Sequence, residues 1–291
     1  MLSRTSYLIA VALFLPIAAS AQDSREVFRG EAPADSWLRL RTSQGDIEVR
    51  EGSGRTAVVN ARVQGSGERP TFEVKRDGAS VTICAIYETT TRCDAESYEN
   101  RWNRRDGRHA SADFIVELPR GVKLLAATGN GDVGTRGATA EVRASSGNGE
   151  VTVDGAGNRV NANTGNGDVE VRGARGPVDV SSGNGDITVT TTAGPVTASS
   201  GNGRIQVSME SLREDGNMSF TTGNGTIELT LPSSLSADID ANVGMRSFES
   251  DFPMQLPGRW GNGRIEGKIG NGGRRIRLST GNGRVILRKN T

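Results

Sequence analysis

Gly-Asn-Gly occurs nine times in this 291-residue chain, and the copies that begin at Gly129, Gly147, Gly165, Gly183 and Gly201 lie 18 residues apart. A fixed period of about 20 residues marks a chain built from one supersecondary unit stacked on copies of itself. Five residues into each unit stand Val133, Val151, Val169, Ile187 and Ile205, and two further on Thr135, Val153, Val171, Val189 and Val207. Later in the unit come Val142, Val160, Val178 and Val196, each followed two residues on by Ala144, Ala162, Val180 or Ala198. Apolar residues two apart with polar ones between are a strand signal. Each unit therefore holds two short strands, with glycines at the corners and a Ser or Thr before each triplet.

The expected fold is all-β: a parallel β-solenoid of about 18-residue, two-strand coils, wound as a right-handed β-helix by strand twist. Gly and Asn tolerate positive φ, which suits a tight corner. Coils stacked at about 4.8 Å would place Asn130, Asn148, Asn166, Asn184, Asn202 and Asn224 above one another as an amide ladder. The alternative for these residues is a turn that simply faces water. A meander of antiparallel hairpins is the competing architecture, since Asn-Gly between alternating apolar residues is also a hairpin signal. It predicts equivalent turns at both ends of each unit, whereas only one corner carries the triplet. A single coil buries too little to offset the ordering of its backbone, so stability belongs to the array, and its open edges must be covered.

The pattern changes towards both ends. After Gly201 the next triplet lies 22 residues on, at Gly223, and residues 244–260 read as an excursion carrying Phe248, Phe252 and Trp260, after which the triplets at Gly261 and Gly281 resume the repeat. Residues 22–127 read as an N-terminal β segment and cap, with strands near 37–41, 46–50, 57–63, 72–75, 80–86 and 112–118. Within it Gly45-Asp46-Ile47-Glu48-Val49 is a worn repeat, and 128–291 forms the solenoid proper. A polar insertion at 88–110 holds the only histidine, His109, and a possible interaction loop of Tyr98, Trp102, Arg104 and Arg105.

Residues 1–21 have the form of a secretory signal peptide: Arg4, an apolar run from Leu8 to Ala19, and Ala19-Ser20-Ala21 as the cleavage signal. The run is shorter than the roughly 20 apolar residues that a bilayer requires, and no later segment supplies a membrane span. The expected location is periplasmic or at the cell surface. Removing the signal takes away Arg4 and no acid, so 35 basic residues become 34 against 34 acidic. That balance argues against nucleic acid as a partner, which calls for a basic face.

Cys84 and Cys93, the only cysteines, read as a disulfide in an oxidising compartment, with free thiols or a metal pair as the alternatives. No other pattern points to catalysis, a metal or a cofactor: one histidine makes no His-based zinc site, and glycine triplets that precede strands are poor phosphate cradles. Calcium-binding 18-residue coils need an acidic column, but Asp132, Glu150, Asp168 and Asp186 give way to Arg204, Thr226 and Arg284. That column reads as a solvated face. Hexapeptide coils fail as well, since six and twelve residues on from Val133 stand Thr139 and Ser145.

The Ser/Thr-Gly-Asn-Gly-Asp-Val/Ile series, as in Thr164 to Val169 and Ser182 to Ile187, with the early Gly45-Asp46-Ile47-Glu48-Val49 and the tail from Ile276 to Gly283, resembles the bacterial putative-adhesin family of β-strand-repeat envelope proteins. The resemblance spans nearly the whole mature chain. It implies a β-helical fold, an envelope location and no catalytic residues; Arg204, Arg264, Arg284 and the 88–110 insertion depart from the pattern. Three functional readings follow. The first is a non-enzymatic scaffold or adhesion module for an envelope protein or glycan. The second is a polysaccharide-binding or polysaccharide-degrading β-helix, and the third an envelope stress or signalling partner acting through the 88–110 loop.

Overall fold

The computed structural model describes residues 24–100, 109–138, 140–212, 216–243, 248–256 and 263–290. Those residues form no helix; they form a 12-stranded sheet, a 13-stranded sheet and a separate two-stranded hairpin. From Lys123 to Leu231 the chain alternates between the two large sheets, and neighbouring coils pair in parallel and in register, with one shift between Arg172 and Ala174. Val133, Val151, Val169, Ile187 and Ile205 are successive partners in one sheet, and Val142, Val160, Val178 and Val196 in the other. The alternation read from the sequence becomes a dry interior: these residues and the Ala144–Ala162–Val180–Ala198 column are buried. The chain is a parallel β-solenoid, and the antiparallel meander is excluded by the pairing.

The stacking order departs from sequence order at both ends. Trp37–Gln44 and Ile47–Glu51 make one coil, on which Lys123–Asn130 and Val133–Arg136 lie directly. On its other side lie Ser80–Ile86 and Ser111–Leu118, so the first coil is sandwiched between two later ones. The carboxyl end mirrors this arrangement. Arg274–Asn282 and Val285–Lys289 stack on Met218–Asn224 and Ile227–Leu231, while Ala237–Asn242 and Phe248–Ser250 lie outside them. The expectation that the repeat simply resumes at Gly261 is thus corrected: Arg264–Ile269 runs antiparallel to Ala237–Asn242 as part of a cap. Gly261 and Asn262 themselves lie outside the described residues, as do 244–247 and 257–260 of the excursion.

Both ends of the stack are closed by antiparallel strands. Ser24–Glu31, Thr56–Gln64 and Thr71–Asp77 close the amino end, and Arg264–Ile269 with Met254–Gln255 the other. The edge strand Thr71–Asp77 carries Glu73, Lys75, Arg76 and Asp77, and charge along an edge discourages pairing with a further chain. Bulk gathers where the repeat frays. Phe114, under the amino cap, and Phe220, where the period lengthens, fill volume that Val and Ala fill in the middle coils.

One inward position breaks the aliphatic rule. Thr135 stands in register with Val49 and Val153 and is 3% exposed, and its hydroxyl has no hydrogen-bond partner. Leaving such a group unsatisfied costs about 1 to 3 kcal/mol. Thr135→Val is therefore expected to raise stability by about 1 kcal/mol, checked by chemical denaturation; an unchanged or lower midpoint would mean that the hydroxyl is paired in solution.

Candidate interaction surface

Each residue of the corner motif has an assigned task in the stack. The inward Ser or Thr donates its hydroxyl to the carbonyl of the last triplet glycine one coil below: Ser146 to Gly131 at 2.7 Å, Thr164 to Gly149 at 2.8 Å, Ser182 to Gly167 at 2.8 Å. The Asn side chains form a continuous amide ladder. Asn148 donates to Asn130, Asn166 to Asn148, Asn184 to Asn166 and Asn202 to Asn184, each at 2.8 Å. Asn224 donates to Asn202 at 2.6 Å and Asn282 to Asn224 at 2.7 Å. The last step joins residues 58 apart in sequence. The acids after the triplet also connect coils: Asp132 Oδ1 accepts the Glu150 N–H at 2.8 Å, and Asp186 Oδ1 that of Arg204 at 2.7 Å. Their column faces solvent and is also a backbone clamp, a role the sequence reading missed.

The two glycines of the triplet meet different constraints. Of the triplet, the third residue is left-handed in Gly131, Gly149 and Gly167, with φ of 142°, 148° and 141°, and the Asn is not. The first glycine is required by close approach: a Cβ on Gly165 would lie 2.6 Å from the Gly147 carbonyl oxygen. The third meets both constraints, since a Cβ on Gly149 would fall inside the Gly131 carbonyl.

The polar insertion is fastened to the outside of the 13-stranded sheet. Cys84 and Cys93 form a disulfide, and Thr90–Cys93 pairs with Tyr98–Asn100 as a hairpin. Tyr98 donates its hydroxyl to the Ala85 carbonyl at 2.7 Å, and Lys75 reaches the Cys93 carbonyl at 2.6 Å. Beneath the hairpin the Arg41 guanidinium is buried and donates to the Ala95 carbonyl at 3.0 Å. Burial pulls its pKa below the ordinary arginine range, partly offset by Asp94. Tyr87 is buried with its hydroxyl on the Ala110 carbonyl at 2.8 Å, and burial pushes that phenol up. His109 stacks edge-on against Tyr87 and faces Glu68 at 3.1 Å. Trp102, Arg104 and Arg105 lie outside the described residues. Tyr98 is turned inward as a clamp. Opening a loop this short is worth about 2 to 3 kcal/mol. Reduction is accordingly expected to expose residues 88–100 to protease while the coils stay protected, read by limited proteolysis; simultaneous loss of the whole stack would contradict this placement.

On the outer face of the 12-stranded sheet, Gly134 opens a cleft of about 320 Å³ lined by Glu48, Arg50, Arg136, Asp154 and Arg172. Its register neighbours in that outward column are Glu48 and Thr152, so the floor of the cleft lacks a side chain at this position. Gly134 has neither reason found in the triplets: a Cβ there would meet nothing within 4 Å, and its φ is not left-handed. Glycine within a strand costs about 0.5 to 1 kcal/mol relative to alanine. Arg50 and Arg136 are direct partners on adjacent strands, a like-charge pairing that opposes stability. Nearby carboxylates balance them only in part: Arg50 lies 3.5 Å from Glu48 and Arg136 3.9 Å from Asp154, while Arg172 pairs closely with Glu170. Among the described residues no group of three or more His, Cys, Asp or Glu side chains is placed to hold a metal ion. No helix there is long and apolar enough to cross a membrane.

Taken together, the corner ladders and antiparallel caps define a closed-ended parallel β-solenoid whose exposed faces are those of its two large sheets. The chain belongs to the Toastrack DUF4097 family, which matches residues 36–288. Among solved structures it is similar to a putative adhesin of Bacteroides fragilis, at 10% identity over 92% of this chain and 96% of that one, with a TM-score of 0.43. A putative adhesin of Parabacteroides distasonis shares 12% identity over 92% and 98% of the two chains, TM-score 0.37. A putative cell adhesion protein of Clostridium sporogenes shares 11% over 92% and 100%, TM-score 0.28. None of the curated proteins compared with the chain matches it.

Proposed function

We propose that the protein is a non-enzymatic, adhesion-like binding module of the cell envelope, exported by its amino-terminal signal and presenting the outer faces of its sheets to an envelope protein or glycan. One observation carries the reading. The repeated polar residues, the Ser/Thr hydroxyls, the Asn amides and Asp carboxylates of the corner, are engaged in bonds between coils. The repeat thus builds a rigid rod, and side chains free for recognition lie in rows on its faces at the strand spacing of about 4.8 Å. A rigid, preorganised surface binds without an ordering cost, which suits a polymer with its own repeat. The test is retention of envelope components on immobilised mature protein, together with incubation of envelope polysaccharides and analysis of their length. Retention of a defined component with no shortening is the expected result. Depolymerisation, or no retention from any envelope fraction, would overturn the proposal.

A further inference from the structure

We infer that the Gly134 cleft is the binding site for an acidic saccharide, whose carboxylate sits between Arg50 and Arg136 while its ring lies against the Gly134 backbone. The inference rests on the binding-module reading and names the place and the ligand chemistry. Three independent features converge on it. A glycine in the middle of a strand, with open space where its Cβ would be and no left-handed φ, is unexplained by the fold and marks a position where something outside the chain approaches the backbone. Beside it two guanidinium groups stand on directly paired residues, although paired like charges oppose sheet stability. Each is incompletely neutralised, Arg136 more so than Arg50, with the Asp154 carboxylate at 3.9 Å and the side chain 76% exposed.

The chemistry of the lining selects the ligand class. Arginine presents parallel N–H donors that match a carboxylate in a bidentate manner, and two arginines on adjacent strands, about 4.8 Å apart, can share one. Glu48 and Asp154 supply acceptors at the rim for ring hydroxyls and repel a polyanion carrying charge on every unit of its backbone, as nucleic acid does. Glu170 neutralises Arg172, so it is the facing guanidinium groups of Arg50 and Arg136, held only loosely by Glu48 at 3.5 Å and Asp154 at 3.9 Å, that take a single negative group set among neutral hydroxyls.

The experiment is calorimetric titration of the full mature chain with sialyllactose, a trisaccharide carrying one carboxylate, with a neutral malto-oligosaccharide of equal length and with inorganic phosphate, using wild type, Gly134→Thr and Arg136→Ser. Threonine occupies the equivalent outward position at Thr152, so Gly134→Thr covers the backbone at the floor of the cleft with a good strand former. The wild type is expected to bind the acidic oligomer and not the neutral one. Each substitution should weaken that binding by roughly tenfold, the size of one lost charge-assisted contact, with the melting temperature of Gly134→Thr at or above wild type. Acidic-oligomer binding that survives Gly134→Thr unchanged would place the ligand elsewhere and overturn the cleft, leaving the binding-module reading standing. Equal binding of the neutral oligomer, or displacement by phosphate alone with no affinity for the acidic sugar, would overturn the ligand class.

Discussion

Gly149→Ala is expected to cost roughly 4 kcal/mol or more, at the far end of what single substitutions do. The residue has φ of 148°, and the new Cβ would fall on the Gly131 carbonyl of the coil beneath. Relieving the clash means lifting this coil from the one beneath, which also breaks the Asn148–Asn130 and Ser146–Gly131 contacts at that corner. The paired control is Gly134→Ala, where the same change meets open space and is expected to stabilise by up to about 1 kcal/mol. Chemical denaturation of both variants decides the matter. A Gly149→Ala protein as stable as wild type would show that the coils do not approach this closely.

The second large effect is removal of the carboxyl-terminal coil, residues 274–291. That coil is held on both sides: Arg274–Asn282 pairs with Met218–Asn224 and with Ala237–Asn242, and Val285–Lys289 with Ile227–Leu231 and Phe248–Ser250. Its loss would uncover four strand edges, two in each sheet. The cap cannot slide inward to replace it, because the register that sets Ala241 against Leu278 brings Val243 to the place of Thr280, whose hydroxyl bonds the Gly225 carbonyl, and valine has no such donor. Bare edges recruit other chains, so the truncated protein is expected to oligomerise or aggregate and to lose cooperative unfolding. Size-exclusion chromatography with thermal denaturation measures both. A monomer melting near wild type would mean that this coil is an appendage.

Local periodicity carried the middle of the molecule into view. Val151 over Val133 and Asn148 over Asn130 follow from a shift of 18 residues, because strand alternation and corner chemistry repeat together. At the ends the same reasoning stops short. Alternation specifies which side of a strand faces inward but not which coil lies beneath it, and the 237–242 strand alternates as well as 276–280 does. A usable signal was present in the glycines. Gly281 and Gly283 seat on the carbonyls of Gly223 and Gly225, a contact that only another full triplet can make, so residues 280–283 were the fitting partner for 222–225. The acidic column misled for a related reason. Asp132 and Asp186 look like a solvated row because their side chains are exposed, yet one oxygen of each is bound to the next coil's backbone. The Gly134 cleft was invisible in sequence, where one more glycine in a glycine-rich repeat attracts no attention until the space around its missing Cβ is known.

Intercalation of the last coil is the point at which the registered stack is most exposed to disproof. Thr221 and Ser279 are outward-facing partners on adjacent strands, whereas stacking in sequence order would set Thr221 against Asn242. Partners at about 4.8 Å fall within the Cα separation that a disulfide accepts. Oxidation of the Thr221→Cys/Ser279→Cys and Thr221→Cys/Asn242→Cys variants, with peptide mass mapping alongside the native Cys84–Cys93 bond, reads the order directly. A crosslink in the first pair and none in the second is the predicted result; a crosslink in the second pair and none in the first would contradict it.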